Sequence, residues 1–326
     1  MLKNRYPKIS IRSRNELAKH ISSKTLPYDV VLGLINDVIA NFYKYWYDSS
    51  ESEPEKGKFV RSAIGTPLNK LLKLIDQKVL APHDRLIPDF IFGGVSGKNH
   101  IQAAYYLLGK RRDRTLLGLD IKRFFEQINQ QRIFYLFYSR CGCSVEGANL
   151  LAQLCCVPLG PKNSGGVGTS IARGFATSPR LALWSNLDTF IKISWVVKKK
   201  LKGHDPKIAI FVDDIGIDAS RVTPEKMEEV FKKINDVLVN FDHNQRLPIN
   251  PDKKKLQLHS KGAEHLGLKL GRNKLAMGRR TRSRKDNVKI LLSRTSSETE
   301  RSNLKIKKIS YYKYQQQINK VQLKKN

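Results

Sequence analysis

The segment KIAIFVDDIGIDAS, residues 207–220, alternates most plainly between inward and outward positions. Ile208, Ile210 and Val212 alternate with Ala209 and Phe211, and the run meets Asp213 and Asp214. Ile215, Gly216 and Ile217 then resume the apolar pattern. This predicts strand, tight turn, strand, with two acids at the tip of an otherwise buried hairpin. In TLLGLDIKRFFEQI, residues 115–128, an apolar strand ends on Asp120 and an aromatic-rich helical stretch is expected to follow. In ARGFATSPRLALWSNLDTF, residues 172–190, Thr177-Ser178-Pro179 predicts a helix start with a hydroxyl cap and proline near its first turn. Leu181, Trp184 and Leu187 continue that helix as an apolar stripe. A helical stretch near 28–47 precedes DSSESEPEKG, residues 48–57, which reads as a surface loop. Near the C-terminus, Ile306, Ile309, Tyr311 and Tyr312 recur at helical spacing, predicting an amphipathic helix. There is no internal repeat, and 326 residues allow two or three subdomains.

Composition narrows the partners. The hydrophobic fraction of 40% suffices for a core. No apolar run approaches the ~18 residues of a membrane span. The basic N-terminus MLKNRYPKISIRSRNELAKH lacks the apolar centre of a secretory signal, so a cytoplasmic chain is expected. Cys141, Cys143, Cys155 and Cys156 have neither metal-site nor disulfide-framework spacing and read as reduced thiols in a partly buried helical region. Lys and Arg number 60 against 29 Asp and Glu, a net charge of +31. Such a charge points to a polyanion and leaves open ribosomal-type binding, a membrane surface or a nucleic-acid enzyme. The charge is +7 over 1–110, +10 over 111–270 and +14 over 271–326. In that last segment Tyr311, Tyr312 and Tyr314 lie among lysines, a mixture suited to phosphate contacts and stacking. A solvated tail is the plainer reading of its last ten residues.

Against this field the carboxylates stand out. A DD turn can be purely structural, and Asp120 can be a helix cap. Two strand-end acidic sites can also converge on adjacent strands. Three carboxylates so placed would bind hard divalent cations through oxygen. A pair of such ions can activate an attacking hydroxyl and stabilise a leaving pyrophosphate. Gly174 allows a close backbone approach ahead of the 178–187 helix.

The order of these segments resembles the bacterial reverse transcriptases, especially the retron and defence-associated branch. KFVRSAIGTPLNKLLKLIDQKVL (58–80) and FGGVSGKNHIQAA (92–104) are similar to the two fingers segments. LLGLDIKRFFEQI, RGFATSPRLALW and FVDD are similar to motifs A, B and C. LPINPDKKKLQL with EHLGLKL (247–270) is similar to motif D and the primer-grip hairpin. Any one motif is weak, but their joint order is specific.

The resemblance implies an α+β right-hand polymerase. Residues 1–115 would be the N-terminal region and fingers, 116–262 the palm with its small antiparallel sheet and an inserted fingers segment, and 263–326 the primer-grip hairpin and a short basic helical thumb. It implies RNA-directed DNA synthesis, with Asp120, Asp213 and Asp214 catalytic. The same residues, with the Ile121 carbonyl, would hold two Mg²⁺ ions, Mn²⁺ being an alternative. Phe125 falls at the steric-gate position that favours dNTPs, though a core aromatic is its plainer reading. Arg61 and Lys58 would neutralise the triphosphate, or bind template phosphates. Lys253 or Lys254 would take the motif D lysine position. Arg173, Gly174 and Phe211 would contact substrate.

The chain departs from the family at three places. Phe211 replaces a tyrosine, Arg173 a glutamine, and Phe175-Ala176 an Ala-Pro pair. VPLGPKNSGGVGTSI (157–171) reads as an inserted flexible loop, without the GK[ST] ending of a Walker-type phosphate loop. The implied partners are a structured noncoding RNA template, a DNA product or RNA–DNA duplex and dNTPs. An effector protein, a second polymerase protein or self-association is compatible, and no membrane is implied. Priming from an RNA 2′-OH, from a protein hydroxyl or from a free 3′-OH stays open. An antiphage role follows from the resemblance alone. Two alternatives are a non-catalytic RNA-binding or assembly protein on a polymerase fold, and a template-independent or protein-primed DNA polymerase.

Overall fold

The computed structural model describes residues 5–323 except 110, 112 and 167. The extreme N-terminus, Val167 of the glycine-rich insert and the last three residues of the basic tail lie outside the described residues.

Helices α1 (Arg14–Ile21) and α2 (Tyr28–Asn41) lead to a small pair of strands, β1 (Tyr47–Asp48) and β2 (Arg61–Ser62). Then come α3 (Pro67–Leu74), extended by a π turn over Ile75–Leu80, and α4 (His100–Tyr106). Strand β3 (Arg114–Asp120) precedes α5 (Gln130–Tyr135) and α6 (Val145–Cys155). The hairpin β4 (Cys156–Pro158) and β5 (Thr169–Ile171) follows, then α7 (Ser178–Ser185) and α8 (Leu187–Lys200). Strands β6 (Lys207–Phe211) and β7 (Asp214–Ser220), helix α9 (Pro224–Asn240) and strand β8 (Lys255–Leu258) complete the central part. The chain closes with β9 (Glu264–His265), β10 (Leu268–Leu270), β11 (Leu275–Met277), α10 (Arg279–Arg294) and α11 (Glu298–Leu323).

The protein is thus α+β. Its centre is an antiparallel sheet of order β6-β7-β3-β8. Every residue of β3 is buried, so both faces of that strand are covered. One large core joins residues from Ile9 to Leu247 and so crosses position 115. A second core packs α4 and the sheet's other apolar side chains against β10, β11 and Ile318 of α11.

Several expectations change here. No helix directly follows Asp120. Turns occupy residues 122–127, Arg123 takes a left-handed φ of 51°, and α5 starts only after the Asn129 cap. The helical stretch expected near 28–47 is α-helical to Asn41 and continues as a 3₁₀ turn to Lys44 before β1 begins at Tyr47. Thr177 accepts no cap hydrogen bond from α7; instead the Ser178 hydroxyl donates to the Ala172 carbonyl (2.6 Å). The four thiols are free and buried as expected, but only Cys155 lies within a helix, while Cys156 opens β4. The predicted stripe of α11 is not its packing face. Leu304 and Ile318 are buried and Tyr311 is half-buried, whereas Ile306, Ile309 and Tyr312 point to solvent.

The glycine-rich insert is pinned rather than free. The Arg61 guanidinium donates to the carbonyls of Pro158 (3.2 Å) and Gly160. The Lys162 ammonium donates to the Trp46 carbonyl and sits 4.8 Å from that ring's centroid. The Tyr43 hydroxyl accepts from the Asn163 amide (2.8 Å). No helix among the described residues is long and apolar enough to cross a membrane.

Candidate active site

The register of the central sheet sets the site. Asp120 ends β3 directly opposite Asp214, the first residue of β7. Asp213 occupies the turn between β6 and β7, and its carbonyl accepts from the Ile121 amide (3.0 Å). Ile121 itself is buried and bridges to Ile249. One strand end and one hairpin turn therefore bring the three acids to a single edge.

The turn is strained. Val212 has a φ of 59°, and a β-branched residue pays a steric penalty in that region. Its support comes from the segment 90–93, which runs along the outside of β6. Phe92 donates to the Ile210 carbonyl (2.8 Å), and the Ile210 amide donates to Phe90 (2.9 Å). A Cβ on Gly93 would lie 2.3 Å from the Val212 amide nitrogen, so only glycine lets this segment press on the turn. The GG pair was visible in the sequence; its contact with the acid-bearing turn was not.

The acids are electrostatically coupled. Burial, then the charges of Asp213 and Asp120, push the Asp214 carboxyl up to about 7. Burial also raises Asp213, with Asp120 adding to the effect and Arg173 and Lys253 opposing it. Asp120 is buried and accepts from the Lys253 ammonium at 2.8 Å. That contact distinguishes the neighbouring lysines. Lys254 turns instead to Glu228 (2.6 and 2.7 Å) and to the Phe231 ring. Among the described residues, no three His, Cys, Asp or Glu side chains are gathered closely enough to hold an ion as they stand.

No family model matches this chain. No curated protein matches it either.

The remaining residues singled out in the sequence fall into two groups. Arg173 lies near the acids, and Phe125 packs beneath it. Arg173 is paired with Glu126 (3.3 Å), its guanidinium lies 5.1 Å from the Phe125 ring centroid, and its charge acts on Asp213. Phe125 is buried in the core. Phe211 is half-buried and meets the edge of His100, with centroids 6.2 Å apart.

The second group is held by contacts within the protein, Arg61 in its interior and Lys58 nearer its surface. Arg61 is buried, paired with Asp48 and flanked by the Trp46 and Phe59 rings, each 5.1 Å away. Lys58 pairs with Glu53 (2.7 Å). Gly174 (φ 104°) does bring two backbones together. The Arg61 amide donates to the Arg173 carbonyl (2.7 Å), and a Cβ on Gly174 would fall 2.2 Å from the Arg61 carbonyl oxygen.

The sequence reading missed Arg180. It is buried and pairs with Asp76 and with Asp84 (2.9 Å), fastening α7 to the chain ahead of the segment 90–93. Its only signal was a charged residue among the apolar positions of that helix.

Proposed function

We propose that this chain is an RNA-directed DNA polymerase of the right-hand type. In this reading the β6-β7-β3-β8 sheet with its helices is the palm, residues 58–104 belong to the fingers, and residues 263–326 form a primer-grip hairpin and a short basic thumb. The observation that carries the reading is the pairing of Asp120 with Asp214 across adjacent strands, with Asp213 in the turn between β6 and β7.

The donor set fits Mg²⁺. It consists of oxygens only, and the acids carry more negative charge than a buried edge tolerates, as the raised Asp214 and Asp213 indicate. A cation, the Lys253 ammonium, already rests on Asp120. Asp120, Asp213 and Asp214, with the Ile121 carbonyl, would hold the ions once Asp120 leaves Lys253. When bound, such ions would supply a more acidic attacking hydroxyl and charge neutralisation for the leaving pyrophosphate. Lys253 is more than half exposed even while paired with Asp120, and once released it would be free to meet that pyrophosphate. Arg173 holds a positive charge beside Asp213 and covers the buried Phe125 ring, so a steric wall for the sugar at Phe125 would require Arg173 to move aside. Arg61 is paired with Asp48 and almost fully buried, whereas Arg173 and Lys253, though also paired, are partly exposed and would be the cations that meet the triphosphate.

A structured noncoding RNA is the template this reading favours, and antiphage defence the setting. The test is dNTP incorporation by purified protein with its co-purifying RNA. Wild type is expected to incorporate and Asp213→Ala/Asp214→Ala to lose at least about a thousandfold, the size of effect that loss of metal-held charge stabilisation produces. Equal incorporation by the two would replace this reading with that of a non-catalytic RNA-binding protein.

A further inference from the structure

Helix α8 presents an exposed aromatic and basic surface away from the acids. Trp195 is 51% exposed, whereas Trp46 and Trp184 are each 1% exposed. The Lys192 and Lys199 ammonium groups lie 4.6 and 4.9 Å from the Trp195 ring centroid. Lys192 also reaches 5.8 Å from the ring of Phe241, another exposed aromatic.

Trp195 stands between two hollows. One, of about 1130 Å³, it shares with Arg5, Lys8, Phe241 and His243. The other, of about 360 Å³, it shares with Arg5, Pro88 and Lys198. The acids on the larger hollow are already engaged, Asp188 by Arg140 (3.5 Å) and Asp242 by Arg132 (2.8 Å). Among the described residues, Arg5, Lys8, Lys192, Lys198 and Lys199 have no carboxylate partner.

We infer that this surface binds a single-stranded segment of RNA, with an unpaired base stacked on Trp195 and its phosphates on the surrounding lysines. The inference rests on the reading that the chain works with an RNA. Its physical basis is independent of the acids. An exposed tryptophan beside an exposed phenylalanine asks for a flat apolar partner, and the unpaired cations ask for a polyanion. Unpaired nucleotides supply both together.

The location leaves the acidic edge free. A connection of residues 201–206 returns α8 into β6, and the His204 carbonyl accepts from Ser220 at the end of β7 remote from Asp214. The C-terminal lysines of α8 therefore lie at the opposite end of the sheet from the acids. RNA held there can stay bound while a duplex occupies the acidic edge.

The experiment uses the intrinsic fluorescence of the full chain, in which Trp195 is the one exposed indole among three tryptophans. A uridine octamer is expected to quench wild-type emission, and Trp195→Phe to abolish the quench. Heparin and polyglutamate, which carry charge without bases, are expected to leave the emission unchanged. Lys198→Gln/Lys199→Gln, which keeps the indole, should raise the half-quenching octamer concentration on the order of tenfold through lost phosphate contacts. Absence of quenching, equal quenching by heparin or polyglutamate, or an unchanged half-quenching concentration in the lysine variant would each overturn the inference. If wild type quenches but incorporates no dNTP, the polymerase reading falls and the binding surface stands.

Discussion

At the scale of single residues, the acids and one histidine give opposite pH signatures. Asp214 is raised to about 7, chiefly by burial and then by Asp213 and Asp120. A carboxyl raised in the fold contributes stability below its unfolded value near ~4, and that contribution is lost as pH rises through 7. Without divalent ions at pH 8, the thermal midpoint of Asp214→Asn is therefore expected to exceed that of wild type. Mg²⁺ should raise the wild-type midpoint and raise the variant's less. A variant that responds fully to Mg²⁺ would remove Asp214 from the proposed ion site. His265 has the reverse sign. It is buried against Gly216 in the sheet, and burial, then Lys255, lowers it to about 4. The unfolded chain takes up this proton near ~6.5, so stability present above that pH is lost as pH falls through 4, by about 3 kcal/mol. Stability measured by urea unfolding between pH 7 and 4 should fall less steeply for His265→Gln than for wild type. Neither shift is legible in the sequence, because each depends on what the fold packs around the group.

At the scale of elements, three of the four strands of the central sheet are plain from their apolar runs, and the hairpin around Asp213 appears where the alternation puts it; β8, half polar and with no residue fully buried, carries no such run. The stretch after Asp120 departs from its sequence pattern because its aromatic residues suit a helix as well as a core. Phe124 and Phe125 are buried by turns that pack directly on the core. The glycine-rich insert departs from its composition for a related reason. Composition predicts freedom, but Arg61, Lys162 and Tyr43 hold that loop through contacts distant in sequence. Gly174 joins the hairpin's exit to β2, so this arrangement has a sharp dependence on one position. Gly174→Ala would force a Cβ toward the Arg61 carbonyl at a φ alanine avoids. It is expected to cost on the order of 3 kcal/mol in urea unfolding. A loss below that of an ordinary surface substitution would mean the two segments can separate freely.

At the scale of the whole molecule, the C-terminal helices serve the core as well as carrying charge. Tyr314 stacks on His100 (centroids 5.7 Å apart, planes at 15°), and the hydroxyl lies 3.0 Å from the imidazole Nε2. Ile318 is buried in the second core, where the Gln322 side chain also accepts from Leu275. A chain ending at Ser297 should therefore melt lower, having lost roughly 3–6 kcal/mol from two large buried side chains. An unchanged thermal midpoint would show α11 to be a detachable arm. The same helix leaves Ile306, Ile309 and Tyr312 outside, so its basic outer face stays available to a ligand.

The sequence by itself determined the charge gradient, the strand–turn–strand around Asp213 and the apolar strand that ends on Asp120. All three are local, written in composition and in the two-residue period of a strand. Tertiary structure alone decided the pairing of Asp120 with Asp214, the contact of Lys253 with Asp120 while Lys254 turns to Glu228, and the pairing of Arg61 with Asp48. It also decided which face of α11 packs and left Trp195 exposed beside Phe241. Register and side-chain partnership arise between segments tens to hundreds of residues apart, and no local pattern encodes which surface a distant segment will offer.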